Sequence, residues 1–392
     1  MEQDTTLSQI QTIMTEFAQR TGLTPAGKAP RRYLWTDAFG VCNFLGLYQQ
    51  TDEEQYLTLA LQLVDQVHRV LGRHRDDDPR QGWLSGLAEE AGAKHPTMGG
   101  LRIGKQLNER EPGAPVDEIL EWDRDGQYYH YLTKWMHALF RVSRVTGDAI
   151  YHTWAIELAK AAHSGFVYHP AASSRKRMYW KMSIDLSRPL VNSMGHHDPL
   201  DAYITYTQLR ATERSDGSLS GDIDLETEIA DCGIMCAGRS WSTDDPLGTG
   251  GLLADAFRLA QLVARFDIAA PLNIASLLAD CETGLQAFVR SGSLDQPAEY
   301  RLAFRELGLA IGLHALLNLQ GLIGRHQDRF ASDQDLPKLL ARLSEFTYLC
   351  DVIEEFWVHA ANQQNPTWSD HEDTNSVMLA TSLAPDGFLL IH

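Results

Sequence analysis

The chain has few cysteines, no excess of positive charge, no Gly/Ser- or Pro-rich tract, and hardly any of the apolar–polar alternation that marks a half-buried strand. Each shortage excludes something. The five cysteines, Cys42, Cys232, Cys236, Cys281 and Cys350, are odd in number and scattered, so they make no disulfide framework. Cys232 and Cys236 stand four apart, as on one helical face, but no second Cys/His pair follows at zinc spacing. All five are expected as buried, reduced thiols. With 34 basic residues against 52 acidic ones the formal net charge is −18. That balance repels phosphate backbones and anionic bilayers, so neither nucleic acid nor a membrane surface is expected as a partner. No run of about 20 apolar residues is evident of the kind that spans a bilayer. The acidic start Met1-Glu2-Gln3-Asp4 has no apolar run behind it, unlike a signal peptide, and the expected location is the cytoplasm. With no linker in view, one domain over residues 1–392 is expected.

Motifs for common catalytic machinery are also missing. There is no G-x-S-x-G elbow and no GxGxxG dinucleotide loop. Gly99-Gly100-Leu101-Arg102-Ile103-Gly104-Lys105 lacks the ending of a phosphate-binding P-loop, and Thr249-Gly250-Gly251 is too short to count. His371-Glu372-Asp373 is not a zincin motif, because position 375 is Asn. No metal and no cofactor are expected.

Helical periodicity dominates what remains. Apolar residues recur at three- and four-residue spacing and predict helices over 7–21, 38–50, 54–73, 128–146, 148–168, 198–212, 224–236, 249–266, 271–291, 301–324, 334–361 and 374–384. The connections alternate. Short ones (Thr51 to Glu53, Thr146 to Asp148, Asp267 to Pro271) follow the even members, while loops rich in acids, Gly, Trp or His precede them. That is the sign of stacked helical hairpins. Each even helix begins at or near an acid: Asp37, Asp123 to Asp125, Asp198, Asp244-Asp245, Glu299, and Asp370 to Asp373. Asp198-Pro199 and Asp245-Pro246 fit an N-cap followed by proline in the first turn. The even helices are apolar around their circumference, as inner helices are, whereas 54–73 and 148–168 carry polar stripes.

Twelve helices alternating inner and outer resemble the six-hairpin (α/α)6 toroid, an all-α superfamily of many glycosidases, some polysaccharide lyases and sugar epimerases of the N-acylglucosamine 2-epimerase type. The resemblance covers essentially the whole chain and is one of architecture, with no family catalytic signature matched. It implies an active site where the inner helices begin, the end that here carries the acid-rich loops.

Six orphaned helix N-termini favour carboxylates and hydroxyls by the charge they gather, although plain capping explains any single acid. The richest segment is Leu120 to His137, where Glu121, Asp123 and Asp125 precede Tyr128, Tyr129, His130, Tyr131, Lys134, Trp135 and His137. His130 and Lys134 share a helix face. Several carboxylates in one place let one stay protonated while another is ionised, which acid/base chemistry needs, and aromatics offer flat surfaces to sugar rings. Asp123, Asp125, Asp198, His130, His197 and Glu372 are the candidate catalytic residues. Asp37, Arg102, Lys105, Tyr129, Lys134, Trp180, Lys181, His196, Asp244, Trp368 and His371 are the candidate substrate-binding residues, with Arg102 and Lys105 a candidate anion clamp in the long loop 74–127. Glu306 in an apolar run needs a partner, and an ion pair with Arg301 or Arg305 is the favoured reading.

Three functions fit: a glycoside hydrolase using a carboxylate pair, a sugar epimerase or isomerase using histidine bases, and a non-catalytic toroid that binds a ligand or protein. The expected partner is a small-molecule substrate, a saccharide; oligomeric state is left open.

Overall fold

Helix makes up the framework, and the strands are fragments of two or three residues. The computed structural model describes residues 2–25, 30–171, 173, 175–216, 224–266, 268, 272–331 and 333–391. Two compact units emerge, one of Ala18–Cys236 and one of Met1–Phe17 with Ala237–His392. The boundary falls inside the first helix, α1 (Glu2–Arg20).

The unit Ala18–Cys236 is built of three helical hairpins. α2 (Leu34–Thr51) returns as α3 (Glu54–Leu71), α4 (Tyr129–Thr146) as α5 (Ala149–Phe166), and α6 (Asp198–Asp216) as α7 (Glu226–Cys236). The first two turn sharply because Asp52 and Gly147 adopt left-handed φ of 59° and 74° and stop the helices. Asp148 then caps α5 by accepting the Ile150 N–H. α4 packs against both α2 and α6, with α3, α5 and α7 behind their partners. Burial follows position: every residue of α2 from Leu34 to Leu47 is buried, whereas α3 buries the stripe Tyr56, Ala60, Leu63, Val64, Val67 and Leu71. The strands β1 (Gln127–Tyr128), β4 (Lys181–Met182) and β5 (Pro189–Val191) form an antiparallel sheet, and β2 (Val167–Tyr168) pairs with β3 (Arg177–Met178).

The second unit has the same logic. α8 (Pro246–Phe266), α10 (Ala303–Arg325) and α13 (Glu372–Leu383) pack in a row, with α9 (Ile274–Ser291), α11 (Leu336–Ser344) and α12 (Leu349–Val358) on their outer side. The connection expected at Asp267 to Pro271 lies outside the described residues apart from Ile268. α8 and α10 approach at glycines: a Cβ on Gly250 would sit 2.1 Å from the Gly308 carbonyl oxygen, and one on Gly312 would sit 2.4 Å from the Gly250 backbone. This contact accounts for Gly250 of α8 and for Gly308 and Gly312 of α10.

Several expectations need correction. The helix expected over 334–361 is two helices. Between them the amides of Glu345, Phe346 and Thr347 donate three residues back, and the Ser344 and Thr347 hydroxyls bond to the Leu340 and Ser344 carbonyls, tightening the chain into 3-10-like turns. α10 is long and apolar enough to cross a bilayer by composition, contrary to the expectation that no such run exists, but two-thirds of its apolar window is buried, as an inner helix requires. Acid N-caps hold at α8, where Asp245 accepts the Gly248 N–H ahead of Pro246. They fail elsewhere. Tyr33 precedes α2, and its N–H donates to Asp37 at 2.9 Å from one turn within. The His197 carbonyl takes the Leu200 and Asp201 amides, so Asp198 lies inside the first turn of α6. Tyr128, not an acid, precedes α4.

Candidate functional site

The N-terminal ends of α2 and α4, with the segments around Trp122 and Trp180, carry a continuous aromatic wall. Trp35 meets Tyr131 at 6.5 Å between ring centroids, Tyr131 meets Tyr33 at 5.5 Å and Tyr128 at 5.2 Å, Tyr128 meets Trp180 at 5.1 Å, and Trp180 meets Trp122 edge-on at 5.3 Å. The phenols of Tyr33 and Tyr131 hydrogen-bond at 2.5 Å, fixing both rings. At the far end the wall opens into a cleft of 330 Å³ between Val116, Glu118, Glu121, Trp122, Tyr128, Trp180, Leu190, Val191 and Asn192. Trp122 is 55% exposed, unusual for so large an apolar ring, and it presents a face to solvent. This combination of apolar faces with a few polar groups suits a small-molecule site.

His130 lies on this wall. Its ring is parallel to Trp180 (11° between planes, 6.5 Å), stacks on Tyr128 at 5.5 Å and meets Tyr131 edge-on at 4.8 Å. About a third of its side chain is exposed, and its Nδ1 faces Asp198 Oδ1 at 3.7 Å. Burial against the rings, helped by the Lys134 ammonium, pushes its pKa down to about 4, so the imidazole is neutral at neutral pH and has a lone pair to offer. One turn further along α4, Lys134 donates to Asp201 Oδ2 at 2.8 Å, and the Thr133 hydroxyl donates to the same oxygen at 2.5 Å.

Other candidates near the wall are committed elsewhere. Asp125 has no solvent exposure: Arg102 donates to it at 2.5 Å, Arg75 lies at 3.4 Å, and the Gly104 amide donates to its second oxygen at 3.0 Å. Arg102 is therefore not free to clamp a substrate anion, and Asp125 is enclosed where a reactant cannot reach it. Two residues before Asp125 in the chain, Asp123 is exposed. Lys181 is fully buried, donating to the Glu121 carboxylate, the Glu121 carbonyl and the Arg124 carbonyl, with its ammonium over the Tyr128 ring; burial lowers its pKa. It shapes the wall from behind. Tyr129 is sealed in the core, bonded to the Tyr206 hydroxyl at 2.5 Å. Asp37 is buried beside Arg32 at 3.4 Å. Lys105 keeps a position on the wall, with its ammonium 5.3 Å from the Tyr33 ring centroid. His197 is half-buried and His196 exposed, their rings 4.8 Å apart just before α6. Among the described residues no cluster of His, Cys, Asp and Glu is arranged to hold a metal ion.

In the second unit Asp244, His371 and Glu372 are exposed near the starts of α8 and α13. Trp368 is buried and stacked on Trp357 at 5.7 Å, so it is core rather than a sugar platform. Glu306 pairs with Arg301 at 2.7 Å and also accepts the Trp357 indole N–H at 2.8 Å, while Arg305 turns to Asp245 instead.

Sequence reasoning did not select Trp122, Tyr128, Tyr131, Tyr33 or Asp201 as site residues. The usable signal for Asp201 was its place three residues after Asp198, which puts both on one face of α6. Tyr33 carries no such signal, because only the close approach of α2 to α4 brings it to Tyr131.

No family model matches the sequence, and no curated protein does. Solved structures do. The α-1,6-mannanase GH76A from Salegentibacter sp. HEL1_6 is similar over 97% of this chain and 99% of its own, at 14% identity and a TM-score of 0.54. An inactive variant of that mannanase with two neighbouring aspartates replaced, in complex with α-1,6-mannotetrose, aligns over 98% of this chain and 99% of its own at 13% identity and a TM-score of 0.52. The cellobiose 2-epimerase from Bacillus thermoamylovorans B4167 is similar over 97% and 99%, at 9% identity and a TM-score of 0.54. The fold is that of the all-α (α/α)6 toroid class. At these identities the likeness is one of architecture.

Proposed function

We propose that this protein is a carbohydrate-active enzyme that seats a saccharide against the aromatic wall at the starts of α2 and α4, beside the first turn of α6. The observation that carries the reading is the wall itself. Half-exposed Trp180, exposed Trp122 and half-exposed His130 offer flat faces beside a cleft of sugar size, with the carboxylate of Asp198 against the imidazole and that of Asp123 exposed close by in sequence. Stacked faces with adjacent acids suit a ring that is apolar on its flats and hydroxylated on its edge. The mannanase and the epimerase of the same fold act on glycans, which supports the substrate class.

Glycoside hydrolysis is the leading reading. It needs two carboxyl groups about the scissile bond, one protonated as general acid and one ionised as base or nucleophile. The candidates are Asp198, which faces His130 on this wall, and exposed Asp123, the residue after Trp122. His130 carries a second reading, sugar epimerisation or isomerisation: its imidazole is neutral at neutral pH and can accept a proton from a carbon next to a carbonyl, as a weaker base than an ordinary imidazole.

One experiment addresses both. The protein is incubated in heavy water with α-1,6-mannooligosaccharides, cellobiose and a panel of aldoses and ketoses, and products are read by NMR. New reducing ends favour hydrolysis. Deuterium at the carbon next to the carbonyl without cleavage favours the histidine chemistry. Neither outcome over a broad panel, with saccharide binding retained, leaves a binding protein and overturns the enzyme reading.

A further inference from the structure

α4 and α6 face each other through two rungs. On α4 the rungs start at His130 and Lys134, four residues apart; on α6 they end at Asp198 and Asp201, three apart, so each pair lies on one face of its helix. The lower rung is closed, with Lys134 Nζ at 2.8 Å from Asp201 Oδ2 and Thr133 donating to the same oxygen. The upper rung is open, since 3.7 Å from His130 Nδ1 to Asp198 Oδ1 lies beyond hydrogen-bonding distance.

We propose that Lys134 and Asp201 are positioning residues, a closed clamp that holds the His130–Asp198 pair one turn away slightly apart and leaves the imidazole uncommitted for a substrate. The inference rests on the wall being the substrate site.

Closing the upper rung into an ion pair would spend the imidazole on Asp198. Two features oppose that. The clamp ties the facing helices one turn away, where Lys134 and Asp201 are both largely buried. The Lys134 ammonium also disfavours a second positive charge beside it, whereas Asp201 acts in the opposite sense. The groups around His130 are Lys134 on its own helix, Asp198 and Asp201 on α6, the phenols of Tyr128 and Tyr131, and the indole of Trp180. Lys134 is the cation among them, so its removal has a defined sign.

The test is an NMR titration of the His130 ring, assigned by its loss in His130→Gln, in the wild-type chain and in Lys134→Met, Lys134→Arg and Asp201→Asn. The wild-type resonance is expected to stay flat from pH 8 to about 5.5. In Lys134→Met the midpoint rises by roughly one pH unit, the size of effect a neighbouring charge exerts. Lys134→Arg restores the wild-type curve, and Asp201→Asn moves the midpoint the other way. An unchanged midpoint in Lys134→Met overturns the proposal, and so does an equal displacement in Lys134→Arg, which would mark a structural effect only. If Lys134→Met does not fold, Asp201→Asn decides alone: a lower midpoint supports the clamp, and an unchanged or higher one overturns it. These readouts need no turnover. A chain that acts on no saccharide but shows the displacements keeps the clamp and loses the enzyme reading. Where turnover is measurable, the acid limb of its pH profile is expected to follow the same order across the variants.

Discussion

The Arg102 guanidinium meets the Asp125 carboxylate at 2.5 Å in a space from which solvent is excluded, while Asp123, two residues earlier in the chain, is exposed. The two aspartates therefore separate under mutation. Asp125→Asn leaves Arg102 buried without its countercharge and is expected to cost about 3–5 kcal/mol of stability. Asp123→Asn is expected to stay within about 0.5 kcal/mol while lowering turnover. Denaturant midpoints and initial rates on the same preparations check both. A stable Asp125→Asn with lost activity would return Asp125 to the chemistry.

Trp122 can be tested without disturbing the core. Its ring is more than half exposed and touches Trp180 edge-on. Trp122→Ala is expected to leave stability nearly unchanged and to weaken saccharide binding about 2- to 12-fold, the range of one aromatic contact of about 0.5–1.5 kcal/mol. Calorimetric titration with the best saccharide found provides the number.

Two histidines contribute to the acid side of the stability profile. Burial pushes His68, which accepts the Trp135 indole N–H at 3.1 Å, down to about 3, and it pushes His130 to about 4. Unfolded, both titrate near 6.5. Between these values the unfolded chain binds protons that the folded chain refuses, so stability falls as pH drops below 6.5. His68 alone contributes a slope approaching about 1.4 kcal/mol per pH unit below that point. Urea midpoints from pH 8 to 5 are expected to decline in the wild type and to decline less in His68→Gln, whose side chain keeps an acceptor for Trp135 and does not titrate.

The glycine seam of α8 and α10 predicts a steric penalty rather than a lost contact. Gly312→Ala places a methyl group 2.4 Å from the Gly250 backbone, which cannot yield as a side chain does. A loss of about 1–3 kcal/mol is expected. Gly251→Ala, one residue along and with open space at its Cβ, serves as the control and is expected to be neutral or slightly stabilising.

These residues show how far the sequence could be read. The alternation of inner and outer helices was legible because burial on all sides removes polar residues from the whole circumference, as along α2, while burial on one side leaves a stripe, as along α3. The site was legible only as a neighbourhood. Asp123 and Asp125 look alike in one dimension, and the partner that sets Asp125 apart, Arg102, comes from a different stretch of loop. Trp368 and Trp180 are equally plausible platforms until packing buries the first on Trp357. Gly250 of α8, which with Gly251 invites comparison with a nucleotide loop, records instead how closely two helices lie.

The long segment between α3 and α4 has little apolar interior of its own, yet it is anchored throughout. Arg75 reaches the carbonyls of Lys105 and Gln106, Arg80 gathers Asp78, Glu109 and Asp185, and Arg110 joins Glu121 to the Ala114 and Leu190 carbonyls. A segment moored by branched cations at so many points is a fixed bank rather than a gate. On the proposed function, arrival of a saccharide at Trp122 then depends on diffusion and on the field of a strongly anionic molecule, and uncharged saccharides are expected to reach it faster than acidic ones of the same size.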